Sequence, residues 1–112
     1  MRHLRPDEFR FVQILLDGLG QKIATDLGSA LVEPMKDGGM GSLKFRSTGP
    51  ASSHSILVEA DFKDSDGVLV SVVFWVTDSG EADELDVWKV DYSPLIAFPC
   101  QKSSVNFGKW GS

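Results

Sequence analysis

From Val68 to Val76 almost every position is apolar, and consecutive strand residues point to opposite faces of a sheet. Val68, Val70, Val72, Phe74 and Val76 therefore share one face, and Leu69, Val73 and Trp75 share the other. A strand apolar on both faces needs cover on both, yet the pattern elsewhere offers one long helix. Phe9, Val12, Leu16, Leu19 and Ile23 recur at three- and four-residue spacing, and Phe11, Ile14 and Leu15 widen the stripe. Pro6 suits the first helical turn, and Asp7 and Glu8 complement the positive end of the helix dipole. The helix is expected from Pro6 to about Asp17. Gly18 and Gly20 weaken it there, a short second helical piece follows over 21–27, and Gly28 stops it.

Beyond Gly28 the period is two. Strands are expected at 30–35, where Pro34 indicates a sheet edge, then at 40–47, 54–63, 68–76 and 84–92. Asp37-Gly38-Gly39, Asp64-Ser65-Asp66-Gly67 and Asp78-Ser79-Gly80-Glu81 read as turns, and residues 48–53 as a loop. The expected fold is α+β, an N-terminal helix packed on a twisted antiparallel meander of about five strands. Residues 1–99 form the single domain, and residues 100–112, polar with isolated Phe107 and Trp110, form a flexible C-terminal tail.

Turn parity assigns the faces. With Asp66-Gly67 as a two-residue type I′ turn, Phe62 opposes Ser71, Ala60 opposes Val73 and Val58 opposes Trp75. With Ser79-Gly80 as the next turn, Trp75 opposes Glu84, Val73 opposes Asp86 and Ser71 opposes Trp88. One face then collects Ile56, Val58, Ala60, Phe62, Leu69, Val73, Trp75, Trp88, Val90 and Tyr92, and its two tryptophans are expected under the helix. The opposite face holds Val70, Val72, Phe74, Val76, Leu85 and Val87 in a frame that includes Lys89 and Asp91. These eight residues are the expected interface, an apolar strip inside a charged rim. A loop of odd length would exchange the faces.

Composition narrows the function. The 112 residues suit one compact domain, with 42% hydrophobic and 24% charged positions. The formal net charge of −5 argues against nucleic-acid binding. Asp61, Asp64 and Asp66 gather around one turn, and Asp78, Glu81, Asp83, Glu84 and Asp86 around another, an arrangement that steers basic protein partners or keeps turns solvated. Cys100 is the only cysteine, so no internal disulfide forms and a reducing compartment fits. With no signal-peptide pattern and no membrane-spanning run, the expected setting is the cytoplasm.

No catalytic, cofactor-binding or metal-binding residue is assigned. Asp64-Ser65-Asp66-Gly67 departs from a calcium loop because Phe62 stands where an acid is required. Gly38-Gly39-Met40-Gly41-Ser42 lacks the lysine of a phosphate-binding loop. His3 and His54 have no ligand spacing, Cys100 no evident base, and Glu59, Asp86 and Asp91 are ordinary strand acids. The expected function is a non-enzymatic protein-interaction module, immunity-like or accessory, whose partner is another protein or a second copy in a homodimer. The alternative is a small-molecule binding or catalytic domain, with a pocket lined by Trp75, Trp88 and Tyr92 between helix and curled sheet.

Two segments, Lys36-Asp37-Gly38-Gly39-Met40-Gly41-Ser42-Leu43-Lys44-Phe45 and Glu84-Leu85-Asp86-Val87-Trp88-Lys89-Val90-Asp91-Tyr92-Ser93-Pro94-Leu95, resemble a family of small uncharacterised bacterial proteins, a domain of unknown function. The resemblance covers most of residues 1–99. It implies a bacterial source and a helical start followed by an antiparallel sheet, with no established activity and no functional residue to carry over.

Overall fold

The computed structural model describes residues 1–47 and 53–108. The expected loop at 48–52 and Trp110 lie outside the described residues. Helix α1 spans Pro6–Gly18 and buries Phe11, Val12, Ile14, Leu15 and Leu16 of the expected stripe, while Phe9 is half-buried, and Leu19, which is exposed, and Ile23 lie beyond the helix. Its start is held by Glu8, whose carboxylate accepts the Arg5 N–H at 2.8 Å and both guanidinium nitrogens of Arg2 at 2.7 and 2.9 Å. This satisfies one helix-end donor and places an acid at the positive end of the dipole. At the other end Gly18 lies against the ring of Phe107, in the space a β-carbon would occupy.

The expected second helical piece does not form. Gly20 adopts φ +64°, and Gln21 N–H donates back to Leu16 O at 2.8 Å to close the helix. The next residues bond to a distant turn: Ala24 N–H donates to Gly80 O, and Thr25 Oγ1 accepts from Ala82 N–H, each at 2.8 Å. Tertiary partners replace the intrahelical ones.

Among the described residues seven strands form one antiparallel sheet: β1 Arg2–His3, β2 Leu31–Pro34, β3 Leu43–Phe45, β4 His54–Lys63, β5 Leu69–Thr77, β6 Ala82–Lys89 and β7 Asn106–Phe107. Their order is β1-β2-β3-β6-β5-β4-β7, which corrects the five-strand meander. The β2–β3 hairpin docks beside β6 through Leu43↔Leu85, while β1 and β7 are two-residue strands on β2 and β4.

The facing of β4 is also corrected. β5 and β6 pair as expected, with Ser71↔Trp88, Val73↔Asp86 and Trp75↔Glu84. Between β4 and β5 the register is one residue off, with Phe62↔Val70, Ala60↔Val72 and Val58↔Phe74. The cause is the turn. Asp64 N–H donates to Val68 O at 2.9 Å and Gly67 N–H to Asp64 O at 2.8 Å, with Gly67 at φ +81°. Three residues therefore form the loop, a type I turn closed by a glycine bulge, and an odd loop reverses the pairing parity.

Val58, Ala60 and Phe62 consequently join Val70, Val72, Phe74, Val76, Leu85 and Val87 in the buried layer with α1. Phe11 meets Phe62 edge-on at 5.4 Å between ring centroids, and Phe45 meets Phe74 at 5.8 Å. Trp75 and Trp88 occupy the other face, so the expectation that both lie under the helix is wrong. After β6 the chain returns along the helical side. Phe98 stacks on Phe11 at 4.7 Å, Val105 is buried, and Phe107 pairs with Ala60. Residues up to 108, read from sequence as belonging to a tail, thus contribute a strand to the sheet.

Candidate functional site

The loop before β3 and the segment that follows β6 meet at one end of the sheet. In the loop before β3, Asp37 accepts the N–H groups of Met40 at 3.1 Å and Ser42 at 3.0 Å. Ser42 Oγ donates to Val87 O at 3.1 Å and accepts from Val87 N–H at 2.9 Å. Met40 Sδ accepts the Lys89 N–H, and Leu95 N–H donates to Gly39 O. Gly41, at φ +101°, leaves room for Leu95 and Phe98, whose atoms would lie 3.1 and 3.2 Å from a β-carbon.

Lys89 is the centre of this junction and is fully buried. Its ammonium donates to Asp64 Oδ2 at 2.9 Å, Asp66 Oδ2 at 2.7 Å and Pro94 O at 3.2 Å, which uses all three donors. Asp64 also accepts from Ile96 and Ala97 N–H. Burial pushes the Asp64 carboxyl up, but the donors from Ile96, Lys89, Ser65 and Ala97 outweigh it and hold the group below its ordinary value of 3.8. Burial likewise pulls Lys89 down, and the bonds to Asp66 and Asp64 carry it above 10.5. The lysine remains charged and wholly committed to its own chain, which makes it a clasp. A cleft of about 210 Å³ beside it is lined by Arg2, Arg5, Met35, Asp37 and the 95–98 segment, and the Arg2 guanidinium there is already bound to Glu8.

The open face of the sheet is chemically different. Its cross-strand rows are Glu84, Trp75 and Ile56; Asp86, Val73 and Glu59; Trp88, Ser71 and Asp61; and Val90, Leu69 and Lys63. Tyr92 at 70%, Trp88 at 47%, Ile56 at 45%, and Leu69 and Val90 at 40% each are exposed. Three strands, β4, β5 and β6, about 4.8 Å apart and about eight residues long at about 3.3 Å each give a face on the order of 400 Å², its charged positions included.

Carboxylates run through this surface. Trp75 Nε1–H donates to Asp86 Oδ2 at 2.9 Å. Asp83 binds Lys44 Nζ at 2.8 Å and His54 Nδ1 at 3.0 Å, and the His54 ring lies 4.9 Å from that of Trp75. Glu84 shares a hydrogen bond with Asp86 and is partly desolvated beside its charge, which pushes the Glu84 carboxyl up to about 7. At the end of β6, Tyr92 has φ 63°, and its ring centroid lies 6.1 Å from that of Trp88.

Of the expected interface, Val70, Val72, Phe74, Val76, Leu85, Val87 and Lys89 are buried within the chain, and Asp91 lies in an exposed turn. Trp75, Trp88 and Tyr92 do not line a pocket between helix and sheet; they stand on the open face. Sequence reasoning grouped Ile56, Leu69, Val73 and Val90 with them on one face but placed that face under the helix, whereas it is the open one. The available signal was the four-residue Asp64–Gly67 pattern, which fits a glycine-bulge turn as well as a type I′ turn. Among the described residues no group of three or more His, Cys, Asp and Glu side chains is arranged to hold a metal ion. No helix among them is long and apolar enough to cross a membrane.

One helix against a seven-stranded antiparallel sheet with an open aromatic face defines a small, strand-rich α+β domain. The chain belongs to the family described as a domain of unknown function (DUF6984), whose model matches residues 1–99. No curated protein and no solved structure matches it.

Proposed function

We propose that this protein is a non-enzymatic interaction module that docks a basic protein partner on the open face of its sheet. The observation that carries this reading is the joint exposure of Ile56, Leu69, Trp88, Val90 and Tyr92. Aromatic side chains on a well-ordered surface are typical anchors of binding energy. The strand framework supports them from behind, so little ordering is required on association.

Charge selects the partner. Glu59, Asp61, Glu84 and Asp86 flank β5 on this face against a single lysine in the same rows, Lys63, and Lys44, at its margin, is bound to Asp83. A second copy would set these acids against their equivalents, whereas a basic surface would be attracted and oriented. The role fits an accessory or immunity-like protein of the bacterial cytoplasm, a setting with which an exposed, unpaired Cys100 is compatible.

The test is affinity capture from the source cell, followed by reconstitution of the identified partner with the purified chain. Leu69→Ser and Val90→Ser are expected to weaken the reconstituted complex about tenfold each, close to 1.4 kcal/mol, and added salt should weaken it further. A complex indifferent to both substitutions, or a partner with an acidic contact surface, would overturn the proposal. A stable homodimer at micromolar concentration would redirect it to a second copy.

A further inference from the structure

Trp88 and Tyr92 form a pair of solvent-open rings, with centroids 6.1 Å apart and planes inclined by 56°. The pair is held by a local device. Tyr92 N–H donates to Lys89 O at 2.8 Å, closing a tight turn, and the non-glycine Tyr92 occupies the left-handed region at φ 63°. Asp91 fixes the next step by accepting from Ser93 N–H at 3.0 Å and Ser93 Oγ at 2.6 Å. A bulky residue held in that backbone region is unusual, and such strain often accompanies binding surfaces. Here its result is to place the one tyrosine of the chain beside Trp88.

Carboxylates border the rings. Asp86, which accepts from Trp75 Nε1–H at 2.9 Å, lies two residues before Trp88 on the same face of β6, and Asp61, which accepts from Asn106 Nδ2 at 3.0 Å, follows Ser71 in the row that begins with Trp88; Lys63 stands in the next row, and each carboxylate retains acceptor capacity for a further donor. A flat cation with an apolar plane and forked donors fits this combination: the rings receive its face and the acids receive its N–H groups. Guanidinium has that chemistry, while ammonium is a compact, strongly hydrated charge. Resting on the docking reading above, we infer that the Trp88–Tyr92 pair is the receptor for an arginine side chain of the basic partner. The turn at Tyr92 orders the receptor before the partner arrives.

The probe is the peptide acetyl-Gly-Arg-Gly-Arg-Gly-amide, compared with the same peptide carrying citrulline, a neutral analogue of similar shape. It is titrated into the full ¹⁵N-labelled chain by NMR. The arginine peptide should shift the Trp88 indole N–H and the Tyr92 ring signals, and the citrulline peptide should bind at least fivefold more weakly. Trp88→Leu and Tyr92→Asn should each lower affinity about two- to fivefold, the range of an exposed cation–π contact. Asparagine tolerates the left-handed backbone, so the second substitution removes the ring without adding strain.

Equal binding of the two peptides, or affinities untouched by both ring substitutions, would overturn the inference. If that happens while Leu69→Ser and Val90→Ser still release the reconstituted partner, the arginine receptor falls and the docking face stands. If those two variants also bind the partner like wild type, both readings fall.

Discussion

Val72 and Val73 are neighbours on one strand, yet Val72 is 1% exposed within the core and Val73 lies on the open face. Valine-to-threonine replacement tests that division with almost no change of shape. Both residues are β-branched, so strand preference and side-chain entropy largely cancel between the two variants. At position 72 the new hydroxyl enters a layer formed by Ala60, Val87 and the α1 face, at a cost of about 1–3 kcal/mol for an imperfectly satisfied buried polar group. At position 73 the hydroxyl reaches water, and the change should stay within about 0.5 kcal/mol. In a domain of this size 1 kcal/mol corresponds to about 4 °C, so Val72→Thr should lower the Tm by about 4–12 °C and Val73→Thr by no more than about 2 °C. Thermal melts followed by circular dichroism, with urea titrations to confirm an unchanged m-value, provide the measurement. The reverse ranking would refute the three-residue loop between β4 and β5 and restore the faces expected from a two-residue turn.

Two further outcomes follow from local geometry. Gly18→Ala should displace β7, because its β-carbon enters the space of the Phe107 ring; amide exchange at Gly108, whose N–H donates to Glu59 O at 3.2 Å, should accelerate, and adding Phe107→Ala should relieve the clash. Stability should also carry two pH signatures. Glu84 binds its proton more tightly in the folded chain, with a value raised from 4.5 to about 7, so its contribution falls as pH rises through that interval, and Glu84→Gln should flatten the decline in Tm. Asp64 is held below 3.8, so its contribution is present above that value and lost as pH falls through its folded value; a Tm insensitive to pH from 5 down to 2 would contradict the clasp.

The helix was legible because an apolar stripe at helical spacing, a first-turn proline and two early acids all agree. The β5–β6 register came out as expected although its turn did not: Thr77 N–H donates to Glu81 O and Gly80 N–H to Thr77 O, a three-residue loop, and an irregularity between Trp75 and Val76 restores the parity. The orientation of β4 was not legible, since Asp64–Gly67 accommodates two turn types and β5 is apolar on both sides, leaving no periodicity to choose between them. Lys89 read as part of an exposed frame because its burial depends on Asp64 and Asp66, more than twenty residues earlier in the chain, and on the return of the chain at Pro94. Strands of two residues, such as β1 and β7, are too short to display a period. Trp75, Trp88 and Tyr92 were recognisable as a group, but their exposure depended on the same turn.

The placement of β3 beside β6 has a consequence for biosynthesis. Leu43 pairs with Pro34 in its own hairpin but finds its second cross-strand neighbour at Leu85, and the stripe of α1 packs against strands made after it. Long-range pairings of this kind slow folding. Until β6 emerges, Phe11, Val12 and Leu15 lack their final cover, so the interval between the synthesis of α1 and that of β6 is one in which the nascent chain presents apolar surface.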